Sequence, residues 1–502
     1  MMAVDIVVVG AGPVGLLTAI ELTLGGASVL VLERLVTPSR NIKALGIGPL
    51  AVEALQRRGM AAAIDAEEER NASAINRFLR QDRGESRMAK FSGHFAFLPI
   101  RREVQREPQR RMRAVDQQGL EAILSDRARA LGIEVRRGCA VTGYEDRADS
   151  VAVTWTSSAG ACAIRCAYLV GCDGGRSTVR KLAGFGFPGT PPTLTMYQAI
   201  VDLDTPSALP SGWHRTSEGV FAHGPFPRRL FMLDFSGPPQ DRQAPVTREE
   251  IEAVLRRISG TDIRVRAMEV GNRWADNTRL AETYRKGRVL LAGDAAHVHA
   301  PFGGQGLSLG LVDAANLGWK LAAVVRGDRP ESLLDTYTAE RRPVAEAVLA
   351  NTLAQVAIMR PDPQSGAMRD IMAKLMQIDD IGSLMGEMMN GLATRYDLNT
   401  AQGEVGRLIG DRPVREAGPG GTLYDIMREG RAVLLDASRE GMASRLAAPW
   451  ERRVIRLPDQ AGPSMLIRPD GCVAWAASDD GTGGLVDALH RWFGAPGMRV
   501  SD

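Results

Sequence analysis

Val4-Asp5-Ile6-Val7-Val8-Val9-Gly10-Ala11-Gly12-Pro13-Val14-Gly15 is the stretch whose reading settles the architecture. Val4–Val9 is a nearly continuous β-branched run, the pattern of a strand buried on both faces. The glycines follow at once. Leu16–Leu24 then has helical spacing and small residues until Gly25-Gly26 ends it, and Ser28–Leu32 is a second short apolar strand closed by Glu33-Arg34. In such a strand–turn–helix–strand unit Gly10 allows the tight turn, Gly12 lets the backbone approach a pyrophosphate, and Gly15 permits close helix–strand packing. The helix N-terminus offers free N–H groups and the positive end of its dipole to phosphates. Glu33 suits ribose hydroxyls and favours an unphosphorylated adenosine ribose, that of FAD or NAD.

The 502 residues allow about three domains at roughly 100–200 residues each. Hydrophobic residues at 44% and charged residues at 24% are globular values, which excludes global disorder. A formal net charge of +3 is too balanced for nucleic-acid binding by bulk charge. The five cysteines show no CxxC spacing and no accompanying histidine cluster, so they read as reduced thiols with no metal. The longest apolar run, Ile6–Ile20, is short for a membrane span and follows no basic segment, so the expectation is a soluble cytoplasmic protein with no membrane contact.

Residues 40 to 120 are irregular and rich in arginine. The arginines between Arg101 and Arg113 read either as a solvated face or as holders of a pyrophosphate or anionic cosubstrate. Gln117–Leu131 has helical periodicity. From Phe187 to Asn277, short alternating segments such as Thr195–Leu203 and Arg229–Phe235 suggest a second, mostly β layer. A long helix is expected from Gly304 through Trp319 to Val325, with helical pattern from Pro330 to Tyr396. Beyond the Gly/Pro-rich Ala417–Gly421 come strands at Ala432–Leu435, Arg453–Leu457, Ser464–Ile467 and Val473–Trp475, then a helix Leu485–Phe493, an order that suggests a small separate α/β unit.

Three further segments carry chemistry. Cys172-Asp173-Gly174-Gly175-Arg176-Ser177 is a strand-to-glycine turn. Gly287–His297 contains a short strand running into Gly293-Asp294, whose carboxylate suits a ribityl or ribose hydroxyl. Pro301-Phe302-Gly303-Gly304-Gln305-Gly306-Leu307 leads into a helix whose first amides would stabilise a delocalised anion such as a reduced flavin. His297 and His299 read as structural or loop residues rather than acid/base groups.

On Gly10–Gly15, Tyr168–Arg180, Gly293–Leu307 and Asp313–Leu321 together, the chain resembles a group A flavoprotein monooxygenase of the para-hydroxybenzoate hydroxylase fold. It is similar to polyketide aromatic hydroxylases and rifampicin monooxygenases. The resemblance implies an α/β fold: a Rossmann-type FAD-binding domain (1–180 and 270–398), an interleaved β-sheet substrate domain (181–269) and a thioredoxin-like C-terminal domain (403–502). It implies FAD contacts from Gly10, Gly12, Pro13, Val14, Gly15, Glu33, Arg34, Lys43, Gln117, Val141, Asp173 and Asp294. Pro301, Gly304, Gly306 and Leu307 would line the isoalloxazine, and Ser308 is a further cofactor contact. The family often has Arg near positions 42–44, where this chain has Lys43, and often Asn where it has Ser308.

The activity implied is hydride transfer from NADPH or NADH to FAD, reaction with O2, and delivery of one oxygen to a (poly)cyclic, polyketide-derived aromatic through a flavin C4a-hydroperoxide. The substrate is expected over the β layer, around Met196–Ile200, Phe221–Pro225 and Phe231–Phe235, with Met196, Phe221, Phe231 and Phe302 as lining residues. Rival readings are Baeyer–Villiger oxygen insertion by the same fold and a non-catalytic flavoprotein that sequesters an aromatic antibiotic. A plain NAD-dependent dehydrogenase is disfavoured because it gives the Gly293–Leu307 loop no role. The expected assembly is a monomer or homodimer.

Overall fold

The computed structural model describes residues 4–39, 44–81 (backbone alone over 73–81), 91–224, 228–241, 244–399, 403–458, 462–477 and 481–496. Lys43 and Pro225 lie outside them. Ile6–Val9 forms the centre of a six-stranded sheet, flanked by Val29–Glu33 and Tyr168–Gly171. Glu134–Arg137 lies beyond the first of these and Val289–Leu291 beyond the second, all parallel, with Arg285–Lys286 as an antiparallel edge. All four residues of Ile6–Val9 are buried, as a strand covered on both faces requires. The helices Pro13–Leu24 and Gln305–Val325 cross at close range, and a methyl added at Gly318 would fall 2.2 Å from Glu21 Cβ. A three-stranded meander, Ala140–Asp146, Val151–Ser157 and Gly160–Cys166, lies beside the main sheet.

A second sheet has the order Gly212–Arg215, Gly219–His223, Arg229–Asp234, Thr195–Leu203, Val265–Ala275, all antiparallel. Its two faces do different things because side chains alternate along each strand. Tyr197, Ala199, Val201, Leu230 and Met232 pack under the amphipathic helix Arg248–Ser259. Met196, Val220 and Leu233, with Phe231 and Trp274 alongside, face Phe302 and Ala300 of the long-helix loop. Phe221 falls on the helix-covered face with Met232, which corrects its expected grouping with Met196, Phe231 and Phe302.

The C-terminal unit pairs Ala432–Asp436 in parallel with Val454–Pro458 and antiparallel with Met465–Ile467, which in turn pairs with Val473–Ala476. Second–first–third–fourth is the thioredoxin-like order, completed by the helix Leu485–Phe493. The segment Phe302–Val325 is apolar and long enough to cross a membrane by composition, but 83% of its apolar window is buried inside the protein, as expected of a core helix.

Candidate functional site

Three glycine turns meet at the carboxyl ends of the parallel strands, where α/β sheets bind ligands. In the first, Gly10 has φ +105°, donates its N–H to Leu32 O at 2.8 Å, and leaves a methyl no room beside Cys172 O at 2.5 Å. A methyl at Gly15 would fall 1.9 Å from Gly10 O, so the helix can sit against its own turn only without a side chain there. Gly12 is the opposite case, for a methyl there meets nothing within 4 Å. It faces open space at the N-terminus of Pro13–Leu24, a terminus that no side chain caps. First-turn amides lack partners within their own helix, so this is a cradle suited to an anion.

Glu33 Oε2 accepts the Ala11 N–H and Oε1 the Leu35 N–H, both at 2.8 Å. These bonds fix the carboxylate beside the turn and leave lone pairs for hydroxyl donors. Arg34 is exposed next to it. The Cys139 N–H donates to Glu33 O, which brings the Val141 strand alongside, where a bulge falls between Val141 and Gly143.

In the second turn the Asp173 carboxylate accepts the Ser177 hydroxyl at 2.5 Å and the Thr178 and Val179 amides at 2.6 and 3.2 Å. It caps the short helix Thr178–Leu182. Arg180 ties this turn to the third by donating to Gly175 O and Ala295 O, with its guanidinium 3.8 Å from the Phe187 ring centroid. In the third turn Asp294 is exposed and makes no hydrogen bond among the described residues. The turn itself is held from below by Asp313, fully buried, whose Oδ2 accepts the Gly293 N–H at 3.1 Å and His297 Nε2–H at 2.7 Å, while Oδ1 accepts Arg341 Nε–H at 2.7 Å. Burial alone would raise the Asp313 carboxyl, but Arg341 and His297 outweigh it and hold it below the usual carboxylate range. Gly310 lets the helix approach, since a methyl there would lie 3.0 Å from Gly293 Cα.

Pro301–Gly304 forms the fourth element. Gly303 and Gly304 have φ +72° and +64°, conformations that glycine adopts at little cost, and no side chain caps the helix Gln305–Val325 that starts there. Two buried acceptors lie at this end without a donor among the described residues. Gln305 Oε1 is one, its Nε2 being spent on Met388 O and Met389 O. His299 Nε2 is the other. Its Nδ1–H donates to Ala300 O, and burial pushes its pKa down to about 4, so the ring stays neutral and Nε2 is an acceptor. Amide cradle, exposed carboxylate and orphaned acceptors together fit an extended dinucleotide that carries phosphates, hydroxyls and a ring with N–H donors.

Ser308, where the family often has Asn, accepts the Gly48 N–H at 2.8 Å and so pins the loop before Pro49–Gln56. Gln117 Nε2 donates to Glu121 one turn on, at 2.8 Å. Of the arginines of 101–113, Arg106 is 77% exposed, as a solvated face requires, while four others are ion-paired. Arg110 pairs with Glu53, Arg111 and Arg113 with Glu68, and Arg101 with Asp379, binding this segment to neighbouring helices. Sequence reasoning assigned no role to Asp313, Arg341 or Arg180. For Asp313 the available signal was a charge inside an apolar helical run, which a buried position tolerates only when paired.

Residues 3–352 match the family model described as FAD binding domain, and residues 402–496 match that described as aromatic-ring hydroxylase, C-terminal. The chain is 40% identical to the 12-dehydrotetracycline 5-monooxygenase/anhydrotetracycline 6-monooxygenase of Streptomyces rimosus, over 99% of this chain and 100% of that one. It is 38% identical to the rifampicin monooxygenase of Streptomyces venezuelae, over 98% and 99%. Among solved structures it is similar to the OxyS anhydrotetracycline hydroxylase from Streptomyces rimosus, with a TM-score of 0.85 and 38% identity over 98% and 99% of the two chains. With its glycine turns, its second sheet and its C-terminal unit in this order, the chain belongs to the FAD-dependent aromatic-ring monooxygenases.

Proposed function

We propose that the protein hydroxylates a planar polycyclic phenol of polyketide type, using NADPH or NADH as transient reductant. The observation that carries this reading is the packing of Phe302, in the turn ahead of the uncapped long helix, against the inner face of the five-stranded sheet. Apolar and aromatic side chains therefore lie against the turn that opens the long helix. When bound there, FAD supplies hydride acceptance and oxygen transfer.

The chain's own residues supply position and environment. Gly10, Gly12 and Gly15 shape the pyrophosphate cradle, Glu33 takes the adenosine ribose with Arg34 and Val141 beside it, and Asp294 takes further hydroxyls of the cofactor. Asp173 holds its own turn and acts on the site through that turn. The first amides of Gln305–Val325, from Gly306 onward, favour negative charge on the ring edge. Met196, Phe231 and Phe302 form the dry wall. Gln198 and Asn272, paired across adjacent strands on the same face and nearly buried, orient the substrate's oxygens.

The test is to purify the protein, read its visible absorbance, and follow NADPH and NADH consumption with a panel of polycyclic phenols and naphthoquinones, with mass analysis of products. Substrate-stimulated consumption with a phenolic product carrying one added oxygen is expected. An ester or lactone product would assign oxygen insertion into a ketone instead. Bound FAD with consumption unchanged by every compound would overturn the catalytic reading.

A further inference from the structure

One ring farther from the flavin loop than Phe302 lies a cleft lined by Phe97, Trp213, His214, Arg215, Val220, Met359 and Arg369. Phe97 links the two regions. Its ring meets Phe302 edge-on at 6.2 Å and stacks on Trp213 at 3.7 Å and 14°. Trp213, on the edge strand Gly212–Arg215, is 42% exposed and meets Phe231 edge-on at 5.2 Å.

Arg215 and Arg369 line this cleft, and among the described residues neither has a carboxylate within ion-pair distance. Elsewhere in the chain arginines such as Arg101, Arg110, Arg113 and Arg285 are paired with acids. Arg215 donates through Nε and Nη2 to the carbonyls of Met359, Arg360 and Asp362. Arg369 donates through Nη1 to Ala96 O, and Arg360 through Nη2 to the Thr193 hydroxyl. Arg215 Nη1 and the Nε and Nη2 of Arg369 are left without a hydrogen bond to any described residue. Two guanidiniums that line one cleft and are anchored on neutral carbonyls repel one another. Burial, with Arg215 beside it, already pulls the Arg369 pKa down. An incoming anion relieves that repulsion and gains charge-assisted hydrogen bonds.

Phe97 sits on a two-residue hairpin turn in which Ala96 and Phe97 both have positive φ, 49° and 64°, a conformation side chains resist. The turn is held by Gln355 Oε1 on the Ala96 N–H at 2.8 Å, by Arg369 on the Ala96 carbonyl, and by His94 Nδ1 accepting the Phe97 N–H at 3.3 Å. Arg369 therefore touches both the cleft and the turn that carries the stacking ring.

We propose that this cleft receives the ionised end of a planar aromatic substrate, its flat face on Trp213 and its anionic oxygens on Arg215 and Arg369. This rests on the aromatic-substrate reading above and adds that the preferred substrate carries a carboxylate or acidic enol at the end remote from the oxygenated ring.

The test is an equilibrium titration of the FAD-loaded, full-length protein without reductant, using 6-hydroxy-2-naphthoate, whose phenol and carboxylate lie at opposite ends, and its methyl ester. The acid is expected to bind about tenfold more tightly than the ester, with the preference shrinking as salt rises. Arg369→Gln and Arg215→Gln should each bring the two ligands toward parity while flavin content stays at the wild-type level. Equal affinities in the wild type, or a preference that survives in both variants, overturns the proposal. So does displacement of the naphthoate by NADPH but not NADH, which assigns the arginines to the cosubstrate phosphate. Binding needs no turnover, so a protein that prefers the acid but consumes no NAD(P)H keeps this inference and loses the catalytic one.

Discussion

Arg468 and Glu340 meet end to end across the boundary between the C-terminal unit and the helix Asp335–Met359, Nη1 to Oε1 at 2.8 Å and Nη2 to Oε2 at 2.7 Å. Both side chains are essentially buried. Asp470, Lys320 and Asn316 complete the cluster, and Trp492 lies 4.4 Å from the guanidinium. Glu340→Gln leaves Arg468 and Lys320 short of a counter-charge in the interior and should cost about 3–5 kcal/mol in a urea unfolding experiment.

The same pair sets an acid limb. Burial alone would raise the Glu340 carboxyl, but Arg468 and Lys320 hold it far below its ordinary 4.5. A carboxylate depressed in the folded state contributes stability that is complete above the unfolded value and lost as pH falls below it. Wild-type stability should therefore fall steeply below about pH 4.5, and Glu340→Gln should show a shallower slope there. Parallel slopes in the two proteins would refute this.

Gly12 and Gly15 separate binding from folding. Gly15→Ala forces a methyl onto Gly10 O and should lower stability by about 3 kcal/mol or more. Gly12→Ala meets no atom and should change apoprotein stability by no more than about 1 kcal/mol, while weakening FAD at least about tenfold in an absorbance titration.

Asp294 and Asp313 should divide in the same way. Asp294→Asn removes an exposed carboxylate with no hydrogen-bond partner among the described residues, so it should leave the thermal midpoint nearly unchanged and reduce flavin retention on gel filtration. Asp313→Asn strips Arg341 or His297 of a charged acceptor and should destabilise by about 3 kcal/mol whether or not flavin is bound.

Ala96→Gly removes the side chain from a left-handed position. The strain relieved, about 1–2 kcal/mol, is offset by the added chain entropy of glycine and by the loss of a fully buried methyl, so a net change within about 0.5 kcal/mol is expected by chemical denaturation. A loss of more than about 1.5 kcal/mol in the variant would contradict it.

The glycine turns were legible in the sequence because each needs a residue type that nothing else supplies. Thr195–Leu203 and Leu485–Phe493 carry clear periodicity, and their bounds are those of the structure. Phe221 was harder to place because both faces of its strand are apolar, so alternation fixes no phase. The hairpin Phe91–Phe95 and Leu98–Arg101 gave no turn signal, since Ala-Phe stands where Asn-Gly is usual. The arginines of 101–113 looked solvated or ligand-holding because their partners, Glu53, Glu68 and Asp379, are distant in sequence.

The pleat of Thr195–Leu203 has a consequence for redesign. Positions 196, 198 and 200 answer to whatever lies against the inner surface, whereas 197, 199 and 201 answer only to the helix on the outer one. Randomising the even-numbered set therefore explores new ligand shapes on an intact scaffold, and randomising the odd-numbered set spends the library on misfolded clones.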